Sequence, residues 1–327
     1  MRDAHDKLSK ANVEVVVVSK DDQEALETYR KAESFPFMML SDEKSETIED
    51  YGVLNTLITR SDAFFYGIPF PGIFLSDPRG QVIGKFFHDS YKKRDSAENL
   101  IDLATGLITL DESAPCVRDT GDDAVQFQVF VHGGNGSIRQ GVRRKLVIRA
   151  TLQEGYHLYD EPVPKGMVAM SIDVIGPPGL VFEGLDKPAT EELKLESASA
   201  TLKVWSGKVD FVMPFYGVGE LVSEVRPLDQ QEVTLGVKIN YQICDADQCL
   251  LPTSNHLELK VPLEVVEVPN LGIHTGHGQK EGSFDAMPHM KRLIVRSLRD
   301  SPLRFLIFVL KTIKINAKAF FRARQQH

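Results

Sequence analysis

The residues in this chain best equipped for covalent chemistry are Cys244 and Cys249, in "YQICDADQCLLP" (241–252). A Cys-x4-Cys pair has three uses open to it: a structural crosslink, half of a metal site, or a dithiol–disulfide couple that passes electrons. Zinc needs about four ligands. Cys116 and His256 could be recruited, but no Cys-x2-Cys partner exists, so no metal and no cofactor are expected. Cys116 stands in "LDESAPCVRDTGDD" (110–123) with no partner by spacing. Three cysteines are too few for a disulfide scaffold, which leaves the pair as the informative feature.

The elements that must position this pair fall into two groups. A chain of 327 residues is long enough for two domains, each with its own core. Its 42% apolar and 26% charged content is that of a soluble globular protein. The first hundred residues alternate strands and helices. "VEVVVVS" (13–19) is a continuous β-branched run, expected of a buried parallel strand. "DDQEALETYRKAE" follows with helical composition and acids near its start, where they favour the helix dipole. "SDEKSETIEDYGV" predicts a second helix, "GIFLSDPRGQVIGKFF" (72–87) a hairpin about an Asp-Pro-x-Gly turn, and "SAENLIDLATGL" a closing helix. After about residue 113, "AVQFQVFVH", "RRKLVIRATL", "MVAMSIDVI", "KVDFVMPF", "EVTLGVKINYQI" and "NHLELKVPLEVV" are β-rich runs divided by Gly, Pro and Asp clusters. Several alternate apolar and polar residues, the mark of half-buried antiparallel strands, and together they predict a β-sandwich.

Charge is unevenly spread. Residues 290–327 carry ten Lys/Arg against one acid, Asp300, a balance of +9 that leaves −17 on the rest of a chain whose total is −8. An acidic body argues against nucleic acid as a partner. From Ser301 a helix would set Arg304, Lys311, Lys318 and Arg322 along one stripe, with Leu306, Val309, Leu310, Ile313, Ala317 and Phe320 opposite. Such a segment (301–324) suits an anionic membrane surface or docking on the acidic body. "MRDAHDKLSKAN" has no apolar core of the secretory kind, and no run of about 18 apolar residues spans a membrane.

"VEVVVVSKDD", "FPFMMLSDEKSETIEDYGV" and "YGIPFPGIFLSDPRGQV", in that order, resemble the redoxin (AhpC/TSA) branch of the thioredoxin-like fold. The resemblance implies an α/β thioredoxin-like domain over 1–112 and a cis-proline at Pro71 that contacts substrate. In that family the reactive cysteine sits at the start of the first helix, where the dipole favours the thiolate. This chain opens inside that helix, and 1–112 hold no cysteine. Either the reactive turn lies upstream of Met1 or the domain is a non-catalytic scaffold. A truncated start would suit a periplasmic protein, an intact one a cytoplasmic protein.

"GYHLYDEPVP" (155–164) and "YQICDADQCLLP" together resemble the N-terminal domain of the thiol:disulfide interchange protein DsbD. This implies an all-β immunoglobulin-like sandwich over 113–270, followed by a linker and basic amphipathic tail over 271–327. It also implies a redox-active disulfide between Cys244 and Cys249, shielded by Tyr156 and Tyr159. The family's aromatic cap over the disulfide has no clear counterpart; "EELKLESASATLKVW" offers Trp205 at best. Cysteines flanking "DADQ" would face each other across a hairpin within the about 4.4–6.8 Å Cα separation a disulfide needs. Asp245 and Asp247 suit the turn, and their charge should disfavour a free thiolate. Closing so short a loop removes little unfolded-state entropy, so a staple gains little. The expected function is thiol–disulfide exchange with a thioredoxin-like partner in cis or trans. The alternatives are a non-catalytic scaffold with a static disulfide, and a fragment of a peroxiredoxin- or thioredoxin-type oxidoreductase.

Overall fold

The computed structural model describes residues 2–59, 66–89, 93–108, 111, 114–119, 123–195, 200–222, 230–245, 248–264, 266–270, 279–285, 287–303, 305–311 and 313–314. The chain starts as a mixed α/β unit with α1 (His5–Lys10), β1 (Val16–Ser19), α2 (Gln23–Ala32), β2 (Met38–Ser41), α3 (Glu46–Asp50), and the hairpin β3 (Gly72–Ser76) and β4 (Val82–Phe87). Asp22 caps α2, accepting the Ala25 N–H at 2.8 Å, and Leu26 on the inner face of α2 is buried. Asp77 builds the hairpin turn by accepting the N–H groups of Arg79 and Gln81, both at 2.9 Å, and Gly80 supplies the φ of 80°.

Two expectations need correction. β1 pairs in parallel with β2, Val16 opposite Met38, but the strand is not buried: Val16, Val18, Met38 and Leu40 are 41–56% exposed. A parallel strand is buried on both faces only where neighbours cover both. Here α2 covers one face, and among the described residues β1–β2 and β3–β4 remain separate two-stranded sheets. The second correction concerns Pro71. Among the described residues the cis peptide bond lies at Glu161–Pro162, not at Phe70–Pro71. The chain before β3 is held extended, with Leu54 bridged to Pro69 and the Phe70 N–H donating to Val53 O at 2.7 Å. It enters the strand with the trans bond that X–Pro prefers by about 0.5–1 kcal/mol.

β5 (Arg94–Asp95) and α4 (Ala97–Thr105) join this unit to the rest. Ser96 caps α4 and Gly106 ends it at φ 71°. One face of α4 gives Ala97 and Ile101 to a small core with Ala4, Leu8 and Phe37. The other is polar and buried. Asp102 accepts from His132 at 2.9 Å and from Lys145 at 2.6 Å, and Asn99 donates to Asp95 at 3.0 Å.

The β-rich region comprises β6 (Cys116–Arg118), β7 (Val125–His132), β8 (Val142–Leu152), β9 (His157–Tyr159), β10 (Ser171–Ile175), β11 (Leu180–Phe182), β12 (Glu191–Leu195), β13 (Ala200–Trp205), β14 (Lys208–Gly217), β15 (Glu232–Tyr241), β16 (Ile243–Cys244) and β17 (Thr253–Pro262). One sheet runs β11-β14-β8-β7-β6, with β5 added in parallel to β8. A second runs β10-β15-β17, and a third β12-β13-β9-β16. Alternate residues of β7, β8 and β14 share one core with those of β15 and β17, and Phe127, Ile148, Phe215, Leu235 and Ile239 are fully enclosed in it. Period-two burial along β15 shows why the alternating sequence reads as strand.

Beyond it lie the parallel pair β18 (Val266–Asn270) and β19 (Gln279–Asp285), then α5 (Met287–Asp300). Arg296 reaches Glu43 at 3.0 Å and Asp22 at 3.6 Å, and Arg292 pairs with Glu24. α5 therefore meets acidic residues near the start of the same chain. Arg304, Ala317, Lys318, Phe320 and Arg322 of the expected stripe lie outside the described residues.

Candidate functional site

The two cysteines sit where the chain leaves the main core. After β15, Ile243 and Cys244 form β16, and the chain turns through 245–248 to Cys249. The Leu250 N–H donates to Ile243 O at 2.9 Å and the Asp245 N–H to Gln248 O at 3.0 Å. Cys244 and Cys249 lie between these bonds as a non-hydrogen-bonded antiparallel pair, the arrangement with the shorter cross-strand Cα distance. Asp245 closes the turn by accepting the Gln248 N–H at 2.8 Å, while Asp247 lies outside the described residues. A disulfide joins the two, with Cα atoms 4.0 Å apart. That is slightly below the expected range, because the crosslink occupies this close pair.

The pair is asymmetric. Cys244 is 1% exposed, whereas Cys249 is exposed and lies two residues before Leu251, itself 85% exposed. β16 pairs with β9, Ile243 opposite Leu158 and Cys244 opposite His157. Side chains alternate across a sheet, so Leu158 and Ile243 enter the main core while His157, Tyr159 and Cys244 share the outer face. β13 extends that face: Val204 lies opposite Tyr159, and Leu202 follows two residues away. Tyr159, Leu202, Val204 and Cys244 form a separate buried cluster, with Val163, Met167 and Leu193 packed on it.

The segment after β9 folds back as a flap. Its backbone is held by Met170 N–H to Tyr159 O at 2.8 Å and by Val168 N–H to the Gln242 side chain at 2.9 Å. Gln242 in turn donates to Leu250 O at 3.0 Å, tying the flap to the chain beside Cys249. Burial pushes the Tyr159 hydroxyl pKa above its ordinary value, and the negative charge of Asp245 raises it further. Tyr159 therefore stays neutral beside the sulfur.

The structure brings Cys244, Cys249 and Tyr159 together. Tyr156, one residue before β9, has the parity of Leu158 and packs against the main core instead. Trp205 is buried in that core, edge-on to Phe211 at 4.8 Å, with its indole N–H donated to Pro188 O at 3.0 Å. Pro71 belongs to the α/β unit. Besides Tyr159, the side chains clustered with Cys244 are Leu193, Leu202 and Val204, with Val163 and Met167. His157 was not singled out by sequence, although "HLY" alternation sets it on the face of Tyr159. Cys116 is free and exposed on β6, accepting from Gln128 at 3.0 Å.

Fold and site define a chain with a thioredoxin-like α/β start and a β-rich region that carries a disulfide across a tight turn. Residues 1–85 match the AhpC/TSA family. Among solved structures, the chain is similar to the N-terminal periplasmic domain of ScsB from Proteus mirabilis. The identity is 14% over 46% of this chain and 54% of that one, with a TM-score of 0.32, so this chain spans about half of its length. It is also similar to the reduced N-terminal domain of DsbD from Neisseria meningitidis, at 14% identity over 49% of this chain and 98% of that one, TM-score 0.24. A third structure is the complex between the DsbD and PilB N-terminal domains of the same organism, at 16% identity over 35% and 73%, TM-score 0.25. No curated protein matches the chain. The redoxin match at the start is the resemblance that the N-terminal motifs carry.

Proposed function

We propose that the chain is a thiol–disulfide redox protein whose β-rich region, an immunoglobulin-like sandwich over about 113–270, exchanges electrons through Cys244–Cys249. The observation that carries this reading is the asymmetry of the two half-cystines: Cys249 is exposed on the surface, and Cys244 is enclosed at 1% exposure. Exchange requires in-line access to one sulfur and a leaving group on the other. An exposed Cys249 offers the first, and the enclosed Cys244 serves as the second. A static crosslink has no need of an open side.

The partner is a dithiol protein acting in trans. Supporting this, β5 and α4 anchor the α/β unit at the Val142–Arg143 end of β8. The disulfide lies beyond the other end, where Thr151 pairs with Lys208 just after Trp205. The eight residue steps from Arg143 to Thr151 correspond to ~27 Å at about 3.4 Å per residue. The 301–324 segment takes an anionic membrane surface as its partner in this reading, supported by exposed Leu306, Ile307, Leu310 and Ile313. Deleting 290–327 should abolish liposome co-sedimentation; unchanged binding refutes that contact.

The main test is the reduction potential of the Cys244–Cys249 pair, together with trapping of a mixed disulfide on Cys249 in a Cys244→Ser variant. A potential below about −300 mV marks a structural bond and refutes exchange. That result would favour the scaffold alternative.

A further inference from the structure

The outer face of the β12-β13-β9-β16 sheet holds one polar group that the disulfide reading leaves unexplained. His157 is the direct cross-strand neighbour of Cys244. Directly opposed residues carry their Cβ atoms about 4.5–5.5 Å apart on the same face, so the imidazole and the Cys244 sulfur are neighbours. His157 Nδ1 is buried and, among the described residues, has no hydrogen-bond partner. A buried polar atom left unpaired is costly, and native structures hold few of them, so each calls for an explanation.

We propose that His157 is the proton donor and acceptor for the Cys244 sulfur during exchange, an inference that rests on the disulfide-exchange reading above. A partner thiolate attacks the exposed Cys249 sulfur. The new sulfur–sulfur bond forms there as the Cys244–Cys249 bond breaks, and its electron pair departs on Cys244. A Cys244 thiolate would be stranded among Tyr159, Leu202 and Val204, where burial disfavours charge. The proton on imidazolium Nδ1 passes to that sulfur, leaving a neutral thiol and a neutral imidazole. The partner's second thiolate then attacks the partner's own bonded sulfur and releases Cys249, which takes a proton from water. The protein disulfide has gained two electrons and the partner dithiol has become a disulfide. In the reverse direction, His157 removes the Cys244 proton so that its thiolate can attack.

Other groups face this position. Tyr159 shares the face and stays neutral, Asp245 and Cys249 flank the turn, and Glu191 stands opposite Val204 on β12. Asp160 at the edge is held by Lys187 at 2.7 Å. Apart from Cys249, which the disulfide itself joins to it, none of these is the cross-strand neighbour of Cys244, and burial keeps Tyr159 neutral.

The experiment uses the full chain. Reduction by dithiothreitol is followed from pH 5 to 9, with each rate divided by the reductant's thiolate fraction. Wild-type protein should show a rate that steps down as pH rises. His157→Phe, which keeps a ring, and His157→Gln, which keeps a donor that does not titrate, should both lose the step. Each should run ~10-fold slower on its acid side, below the usual range for general acids because a thiolate already leaves readily. Histidine NMR titrations of the oxidised and reduced wild-type protein give a readout that needs no variant, and one imidazole should change between the two states. Variant profiles superimposed on the wild-type profile, or histidine titrations identical in both states, overturn the role of His157 and leave the exchange reading intact. A wild-type pair whose potential marks a structural bond removes both.

Discussion

Removing the crosslink should cost the fold little, and the cost can be worked from the hairpin. The bonded residues are five apart in sequence, so the closed loop holds about six residues. The chain-entropy relation gives ~7 cal/mol/K for such a loop, or about 2 kcal/mol at 25 °C. The other contacts at the site do not depend on the bond itself: Leu202, Val204 and Tyr159 pack around Cys244, and the backbone bonds at 243–250 and 245–248 close the turn. Urea unfolding of oxidised and reduced protein should therefore give parallel cooperative curves separated by about 2 kcal/mol. A Cys244→Ala/Cys249→Ala double variant should track the reduced form. The thermodynamic cycle supplies a second measurement. If the bond stabilises the fold by this amount, the fold stabilises the bond equally, which makes the native potential ~45 mV more negative than that of the same pair in the unfolded chain. A loss above about 4 kcal/mol, or a reduced form without a cooperative transition, would refute the reasoning and identify a structural staple.

Three further outcomes are expected. Asp102→Ala strands Lys145 and His132 beneath α4 and should cost about 3 kcal/mol in urea unfolding, since removing one partner of a buried charge pair leaves the others uncompensated; a loss under about 1 kcal/mol would show that the seam is not held there. Burial pushes the Glu183 carboxyl pKa up, but hydrogen bonds and charges from Lys93 and Arg143 outweigh it and hold the group below its ordinary 4.5. Its contribution is complete above that value and fades as pH falls through the lowered one, so Glu183→Gln should flatten the acid limb of stability below about pH 4.5, and an unchanged limb would contradict this. The contacts of Arg292 and Arg296 with Asp22, Glu24 and Glu43 are partly exposed, so hydrogen exchange of α5 should quicken between low and about 0.5 M salt; salt-independent protection would point to apolar docking instead.

Local pattern made much of the fold legible. Capping at Asp22 and Ser96, the Asp77 turn, and period-two alternation along β15 are decided within a few residues, and each element stands where its pattern predicts. The Cys244–Cys249 pairing belongs with them, because the Asp245 side chain, accepting the Gln248 N–H, helps close the turn between them. "VEVVVVS" shows the limit. Composition predicts a buried strand, yet burial depends on what lies over it, and Val16 and Val18 face outward. Pro71 is similar, since its bond follows the way β3 is entered.

What the sequence determined by itself was the order of elements, the change from α/β to β-rich character, and the two cysteines that could pair across a turn. These rest on residue types and short spacings, which act within about one turn or one strand. Only the tertiary structure decided that Cys244 is enclosed while Cys249 is open, that Tyr159 joins the sulfur while Tyr156 and Trp205 enter the main core, and that His157 stands opposite Cys244. Those outcomes follow from the register between β9 and β16, segments more than eighty residues apart in the chain. A shift of one residue in that register would turn each of these side chains to the other face.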